Sequence, residues 1–521
     1  MDSEGSQVGS VVVVGGSVAG WAAAARIAAA FPGTVRVTVL EDPRKVAETA
    51  DTGTVLTAGP GLQRELFDHL GAAEEDWARA CHASFRTTVR YVNWRTEGAG
   101  EPAARRLSGG GSDHFHRLYA DLPDCGLFSL HDAWRSGTAA EPFDYACFRE
   151  PLLLDAGKAP RWLDGRAALP YGWHLDAVRF AGYLRDLAVG RFGVRAVHDM
   201  PCAVERDAAG TVTELRTVRG RTVRGDVFLD CSGQAGILVA GLLDEPYLGA
   251  DDELLCDSTV TATLEHDDEA RGVEPFGTTL AMPEGWAWKT PLPGRFGTGY
   301  VFARALTDPG RAAEWLCALW GADPERATLR LLRCRTGRLR RAWVGNCVAL
   351  GSAAACTEPL ATDALDDVLD TLARLLRDLP AAAGAREVAA ARFNRAFADR
   401  CRRRLDLVRL HYAATPRADT SFWRARQAGA RSGTAAETLA AYDAGLAPEP
   451  GEEEAFRLLS AFRAGPPGHR TGIEAAPAAR HAADEHFARV KRQQRILLET
   501  LPEAHAYLRL LHRAGAYRAA A

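Results

Sequence analysis

The apolar and polar positions fall into three rhythms along the chain. At the start, the run VVVV (11–14) leads into GGSVAGW, then the helical pattern WAAAARIAAAF, then a second strand pattern, VRVTVLED (35–42). A short apolar run, a 3.6-residue period and a second strand predict a β-α-β unit. Helical spacing returns in AVRFAGYLRDLAV (177–189), followed by strand patterns TVTELRTV (211–218) and DVFLDCSG (226–233). From about 255 to 350 the chain alternates as a half-buried sheet does, in STVTATLE, GWAWKTPL, GTGYVFA and WVGNCVAL. From 364 onward it is helical almost throughout, with linker-like breaks at LAPEPGEEE (446–454) and AGPPGHRTG (464–472). Residues 97–112 have no period and read as a Gly/Ala-rich surface loop, and no internal repeat is present.

These rhythms predict an α/β protein. Residues 1–365 form a discontinuous nucleotide-binding part with an inserted mixed or antiparallel sheet, and 366–521 a mostly helical covering part. With 521 residues, 47% apolar and 25% charged, the chain is long enough for a large core. A net charge of −4 gives no field toward nucleic acid or an anionic membrane. The Arg-dense LRCRTGRLRRAW (332–343) reads as a pocket lining or a solvated face. Eleven cysteines, with no C-x-x-C pair and no His/Cys cluster at zinc spacing, predict reduced thiols and no metal site. MDSEGSQVGS lacks the basic and apolar regions of a signal peptide. No apolar run approaches the ~18–20 residues of a membrane span. A soluble cytoplasmic protein is expected, a monomer or homodimer.

The first turn carries the clearest chemistry. VVVVGGSVAGW is a dinucleotide-type fingerprint: Gly15 for the tight turn, Gly20 for close helix–strand packing, and a helix N-terminus for a pyrophosphate. Ser17 replaces the middle glycine, and Glu41 closes the second strand where an acid binds ribose hydroxyls. Gly16, Ala19, Asp230, Gly233, Gly351 and Pro359 complete the candidate cofactor positions. A bare glycine turn is the plainer reading of the same residues. In GWAWKTPL (285–292), Trp286 and Trp288 share a strand face, as an indole wall or as two core aromatics.

Together these segments resemble the flavin-dependent tryptophan halogenases. W-x-W-x-T-P is similar to their W-x-W-x-I-P, GGSVAGW to G-G-G-x-A-G-W, YGWHLDA (171–177) to Y-H-x-D-A, and LDCSG to I-D-C-S-G. RTGRLRRAWVGNCVALG (335–351) and LVRLHYAATPRADTSFW (407–423) continue the resemblance in the same order. It implies a Rossmann-like FAD-binding fold and an aromatic substrate, free or tethered to a carrier. With no second nucleotide fingerprint, it also implies a separate flavin reductase supplying FADH2. In the family, reduced FAD and oxygen turn a halide into hypohalous acid, which passes to a lysine beside a glutamate.

The chain departs from the family at those groups. ASFRTTVRY (83–91) puts Arg86 in the lysine's place, and a guanidinium, with a pKa above ~12, is a poor carrier of electrophilic halogen. CTEPLATDAL (356–365) keeps Glu358 and Pro359 but puts Ala361 at the catalytic glutamate and Thr362-Asp363-Ala364 at the halide site. Asp363 reads either as a catalytic carboxylate or as the N-cap of the next helix. Leu56 and Ala58 replace the Glu and Thr of the strap between flavin and halide. His116 matches the family's pocket histidine, with Leu118 where an aromatic is common. His131, Trp134 and Trp423 are further pocket candidates, and each is equally readable as structure. The expectation is an FAD-dependent oxidoreductase that oxygenates or oxidises an aromatic intermediate without halide, with Arg86, His116, Glu358 and Asp363 as catalytic candidates. A halogenase with relocated residues and a non-catalytic flavin-binding protein are the alternatives.

Overall fold

The computed structural model describes residues 8–42, 55–95, 113–250, 256–360, 364–379, 382–430, 433–463 and 465–513. Contacts divide the chain into two compact units, 1–83 with 175–251 and 334–405, and 84–174 with 252–333 and 406–521. The helical C-terminal stretch is therefore shared between them. The loop expected at 97–112 lies outside the described residues.

The first unit is built on a six-stranded sheet. Its spatial order is Arg195–His198, Arg36–Glu41, Ser10–Val14, Val227–Asp230, Cys347–Ala349 and Trp343–Val344. All neighbours are parallel except the last pair. Central parallel strands are covered on both faces, which is why VVVV has no polar alternation; Val11 to Val14 are at most 1% exposed. The predicted β-α-β unit is present, joined by helix Val18–Ala30. Its Ala22 to Ala25 are buried, and such short side chains let a helix lie close to its neighbours.

The second unit holds a seven-stranded sheet, ordered Arg330–Arg333, Ser258–Glu265, Arg295–Phe302, Gly285–Leu292, Gly277–Met282, Thr88–Val92 and His114–Leu118. It is mixed, because Gly277–Met282 runs parallel to Thr88–Val92 and the other pairs are antiparallel. Within the stretch expected to alternate as sheet, Pro309–Trp320 is a helix instead. Asp308 caps it by accepting from the amides of Gly310 and Arg311, and Pro309 opens it. Ala312, Leu316 and Leu319 then pack with Val260, Leu280 and Tyr300 of the sheet. Of the two linker-like stretches, 446–452 and 465–472 are loops on either side of helix Glu453–Ala461. Among the described residues no helix is long and apolar enough to cross a membrane.

Candidate active site

In the first unit, three adjacent parallel strands each run into a left-handed glycine. Gly15 (φ +112°) follows Ser10–Val14, Gly233 (φ +72°) follows Val227–Asp230, and Gly351 (φ +61°) follows Cys347–Ala349. The carboxyl ends of such strands are where open α/β sheets bind nucleotides. At Gly15 and Gly20 the backbone leaves no room for a side chain. A Cβ on Gly15 would lie 2.4 Å from the Cys231 carbonyl oxygen, and one on Gly20 only 1.9 Å from that of Gly15. On Gly16 it would lie 2.6 Å from Glu41 Oε2, and on Gly351 3.6 Å from Ala19 Cβ.

Ser17 caps helix Val18–Ala30. Its hydroxyl accepts from the Gly20 amide at 3.4 Å and donates to the Cys231 carbonyl at 3.2 Å, so it secures the turn. The buried Glu41 takes Arg185 Nε at 3.3 Å and His198 Nδ1 at 3.2 Å on Oε1, while Oε2 stands at the Gly16 turn. A Cβ-free turn, a capped helix N-terminus and an acid ending the second strand fit the phosphates and ribose of FAD. Asp230, a cofactor candidate, has both carboxylate oxygens engaged by the protein. Oδ1 accepts from Ser232 N and Oγ (3.1 and 2.5 Å), and Oδ2 from the amides of Leu238 and Val239 (2.9 and 2.8 Å). With both oxygens engaged, it shapes the loop carrying Gly233.

Glu358 is buried (1% exposed) and Pro359 exposed, just beyond strand Ala355–Cys356. Ala361, Thr362 and Asp363 lie outside the described residues. The Cys347 thiol is buried and pushed up to about 12, as an inert core cysteine is. Cys356 differs, its sulfur standing 2.8 Å from that of Cys334, which lowers its pKa. The Arg-dense stretch is largely a solvated face, where Arg340 and Arg341 pair with Glu245 at 3.3 and 2.6 Å.

The second unit contains a cavity of about 220 Å³ lined by Arg86 and His116. Strand Ser84–Arg86 pairs with Gly172–Asp176 through Arg86↔Gly172, and Ser84 Oγ donates to the Pro291 carbonyl at 2.6 Å. This holds Arg86 almost fully buried (5% exposed), with its guanidinium on the Tyr119 hydroxyl. Arg117 and Arg457 also line the cavity against one carboxylate, Glu454, which pairs with Arg117. Phe143, Phe148 and Leu458 give it apolar walls. Three guanidinium groups over one carboxylate suit an anionic ligand with an aromatic body.

His116 is held by Asp144, whose Oδ2 takes the His116 backbone amide at 2.9 Å and Nδ1–H at 3.0 Å. Nε2 is buried without a partner. Burial lowers the His116 pKa, and the nearby Asp144 opposes this only in part. A neutral imidazole with its proton fixed on Nδ1 presents Nε2 as an acceptor, the arrangement of a general base. The sequence reading expected no metal, yet one ligand atom each of His114, His116 and Asp155 lies within 4.8 Å of the others. These groups are already bonded. Tyr145 Oη lies 2.8 Å from His114 Nε2 and donates to Asp155 at 2.6 Å, and Arg90 stands 3.6 Å from Asp155. Burial would raise the Asp155 pKa, but hydrogen bonds from His114 and Tyr145 and the nearby Arg90 charge bring it to about 2.

The other expected pocket residues do not line this cavity. Trp286 and Trp288 do share a strand face, but Trp286 is core and donates Nε1 to the Tyr412 hydroxyl at 3.1 Å. Trp288 lies across Gly299, where a Cβ would come within 2.6 Å of its Nε1. Trp423 is fully buried, bonded to the Met282 carbonyl at 2.9 Å and under the Arg417 guanidinium. His131 (Nε2 to Ser460 Oγ, 2.6 Å) and Trp134 (Nε1 to the Glu141 carbonyl, 2.8 Å) pack against Phe143, behind the cavity wall. Asp144, Tyr119 and Arg457 were not foreseen, because no motif marks them; only the pairing of Thr88–Val92 with His114–Leu118 and the packing of helices Phe143–Cys147 and Glu453–Ala461 gather them.

The tryptophan halogenase family profile matches residues 10–467. The chain belongs to this family. It is 38% identical to tryptophan 7-halogenase RebH of Lentzea aerocolonigenes, over 97% of this chain and 99% of that protein. The crystal structure of tryptophan 6-halogenase SttH from Streptomyces toxytricini superposes with a TM-score of 0.85 at 29% identity, covering 96% and 99% of the two chains. The flavin-dependent halogenase Tar14 of taromycin biosynthesis gives 0.86 at 27% identity, with 96% and 99% covered. A flavin-dependent family implies FAD for this halogenase-family chain, and the glycine cradle of its first unit fits that cofactor.

Proposed function

We propose that this chain is an FAD-dependent oxidoreductase that oxygenates an anionic aromatic substrate without using halide. The observation that carries the reading is Arg86: buried, bonded to Tyr119, and lining a cavity with the Asp144-held His116. At the family's lysine position the guanidinium anchors a carboxylate or a developing oxyanion and does not carry halogen. Ala361, standing for the family's glutamate in EPLATDAL, removes the second halogenating group. His116 Nε2 accepts the ring proton released when the aromatic carbon is hydroxylated. Bound FADH2 and oxygen would supply one oxygen atom to the ring, the other leaving as water. A separate flavin reductase provides the reducing equivalents. Glu358 and Asp363, in the segment that follows Cys356, are the further catalytic candidates. The runner-up is an active halogenase with relocated residues, favoured by 38% identity to RebH.

The test is product analysis with reductase, NADH, FAD and a panel of anionic indoles and phenols, with and without chloride or bromide. Hydroxylated product in halide-free buffer supports the reading. Halogenated product alone, appearing only with halide, establishes the runner-up.

A further inference from the structure

A second cavity, of about 450 Å³, lies in the same unit and has no part in the chemistry above. Arg90, Thr278 and Lys289 are cross-strand partners in one register row and line it together. Val89, one residue from Arg90, lines the smaller cavity, and strand alternation turns these two side chains to opposite faces of the sheet; His116, the register partner of Arg90 and packed against Phe276, stands between the two cavities. Helix Ala504–Arg513 brings His505, and the 271–276 loop brings Arg271, Glu274 and Phe276. The cavity is within the volume range of small-molecule sites.

Its polar groups are incompletely satisfied. Lys289 pairs with Glu274 through Oε1, and Arg90 Nη2 stands 3.6 Å from Asp155. Yet Arg90 Nε, Glu274 Oε2 and His505 Nε2 are buried atoms with no hydrogen-bond partner. Buried polar groups are seldom left so, and Arg90 and Glu274, a cation and an anion lining one cavity, call for a ligand carrying both charges. The lining is itself balanced, with Arg90, Arg271 and Lys289 against Asp155, Glu274 and Glu503. A lone anion or cation would unbalance it; a zwitterion would not. Phe276 and Trp320 supply apolar surface.

We propose that this cavity is a second small-molecule site, taking a zwitterion of amino-acid size. Its carboxylate meets Arg90, its ammonium meets Glu274, and its apolar part rests on Phe276 and Trp320. This site is independent of the oxidation assigned to the Arg86 cavity.

The matched probes are L-phenylalanine, phenethylamine and 3-phenylpropionate, titrated calorimetrically into the full chain and into Arg86→Leu, which disables the other cavity. L-phenylalanine should bind saturably to both proteins. The singly charged analogues should bind at least about tenfold more weakly, as expected for losing a hydrogen bond to a charged group. Glu274→Gln should weaken L-phenylalanine by a similar factor. Thr278→Leu, which adds apolar bulk to the row without touching either charge, should abolish binding while melting as the parent does. Absence of saturable binding, with the cavity holding water only, overturns the proposal. So does binding insensitive to both Glu274→Gln and Thr278→Leu, or equal binding of all three probes.

Discussion

The glycine cradle of the first unit and the Arg86 cavity of the second do their work by opposite means. In the cradle, what matters is where side chains are missing. Gly15, Gly16 and Gly20 keep the strand exits so close that a single Cβ meets backbone or Glu41. In the cavity, what matters is where side chains converge, from a strand end (Arg86), a strand interior (His116), a short helix (Phe143) and a C-terminal helix (Glu454, Arg457). A cradle made of backbone tolerates little change. A cavity made of side chains can change its chemistry one residue at a time, and the proposed function rests on such a change at Arg86.

That contrast is most open to attack at the cradle. Gly20→Val should weaken FAD binding by more than ~100-fold, since backbone must move or take up strain of about 1–3 kcal/mol per displaced residue and the turn would no longer fit a pyrophosphate. Fluorescence titration of FAD checks it, and unchanged affinity would sink the cradle reading. Trp423→Ala tests whether the family tryptophans are core. It should cost about 3–5 kcal/mol in denaturant unfolding yet leave substrate KM per folded molecule unchanged. A KM effect without lost stability would return Trp423 to the pocket. Arg86→Leu should do the reverse, raising KM for anionic aromatics by roughly 10–100-fold, for a charged hydrogen bond worth about 1.5–3 kcal/mol, with FAD affinity intact.

The smallest expected effect is pH-dependent and belongs to the second unit. His411 donates Nδ1–H to the Leu407 carbonyl at 2.7 Å and lies 3.1 Å from Tyr91 Oη, and burial holds its pKa down to about 3. Burial lowers His116 and His131 as well. Between the folded values and the ordinary histidine value near 6.5, the unfolded chain binds more protons, so stability present above pH 6.5 is lost as pH falls toward 3. Melting temperature should therefore drop from pH 7 to pH 5, and less steeply in His411→Gln. A flat profile would mean these imidazoles are not held neutral by burial.

The same contrast explains what could be read in advance. Glycine spacing after VVVV announces a backbone geometry that is local, so the β-α-β unit and its turn were visible in a window of thirty residues. Ser17 and Asp230 each make contacts to the backbone that their positions alone did not announce. A serine before a helix and an acid before a turn serve the backbone as readily as a ligand. Trp286 and Trp288 share a face as alternation requires, but alternation does not say which partner covers that face; Tyr412, more than a hundred residues away, takes the Trp286 donor. Asp144 sits in EPFDYAC, with no local signal that it holds His116. Helix Pro309–Trp320 was missed because its apolar residues lie within a stretch dominated by strands, although Asp308-Pro309 marked its start.

Halide independence can be measured without knowing the substrate. The FAD-loaded chain, a flavin reductase, NADH and oxygen, with catalase, are mixed with a soluble trap for hypohalous acid, with and without excess bromide. If Arg86 and Ala361 have ended halogenation, brominated trap will stay at the level of reductase and FAD alone. Bromide-dependent trap bromination that disappears in Gly20→Val would contradict it and identify the chain as a halogenase by another route.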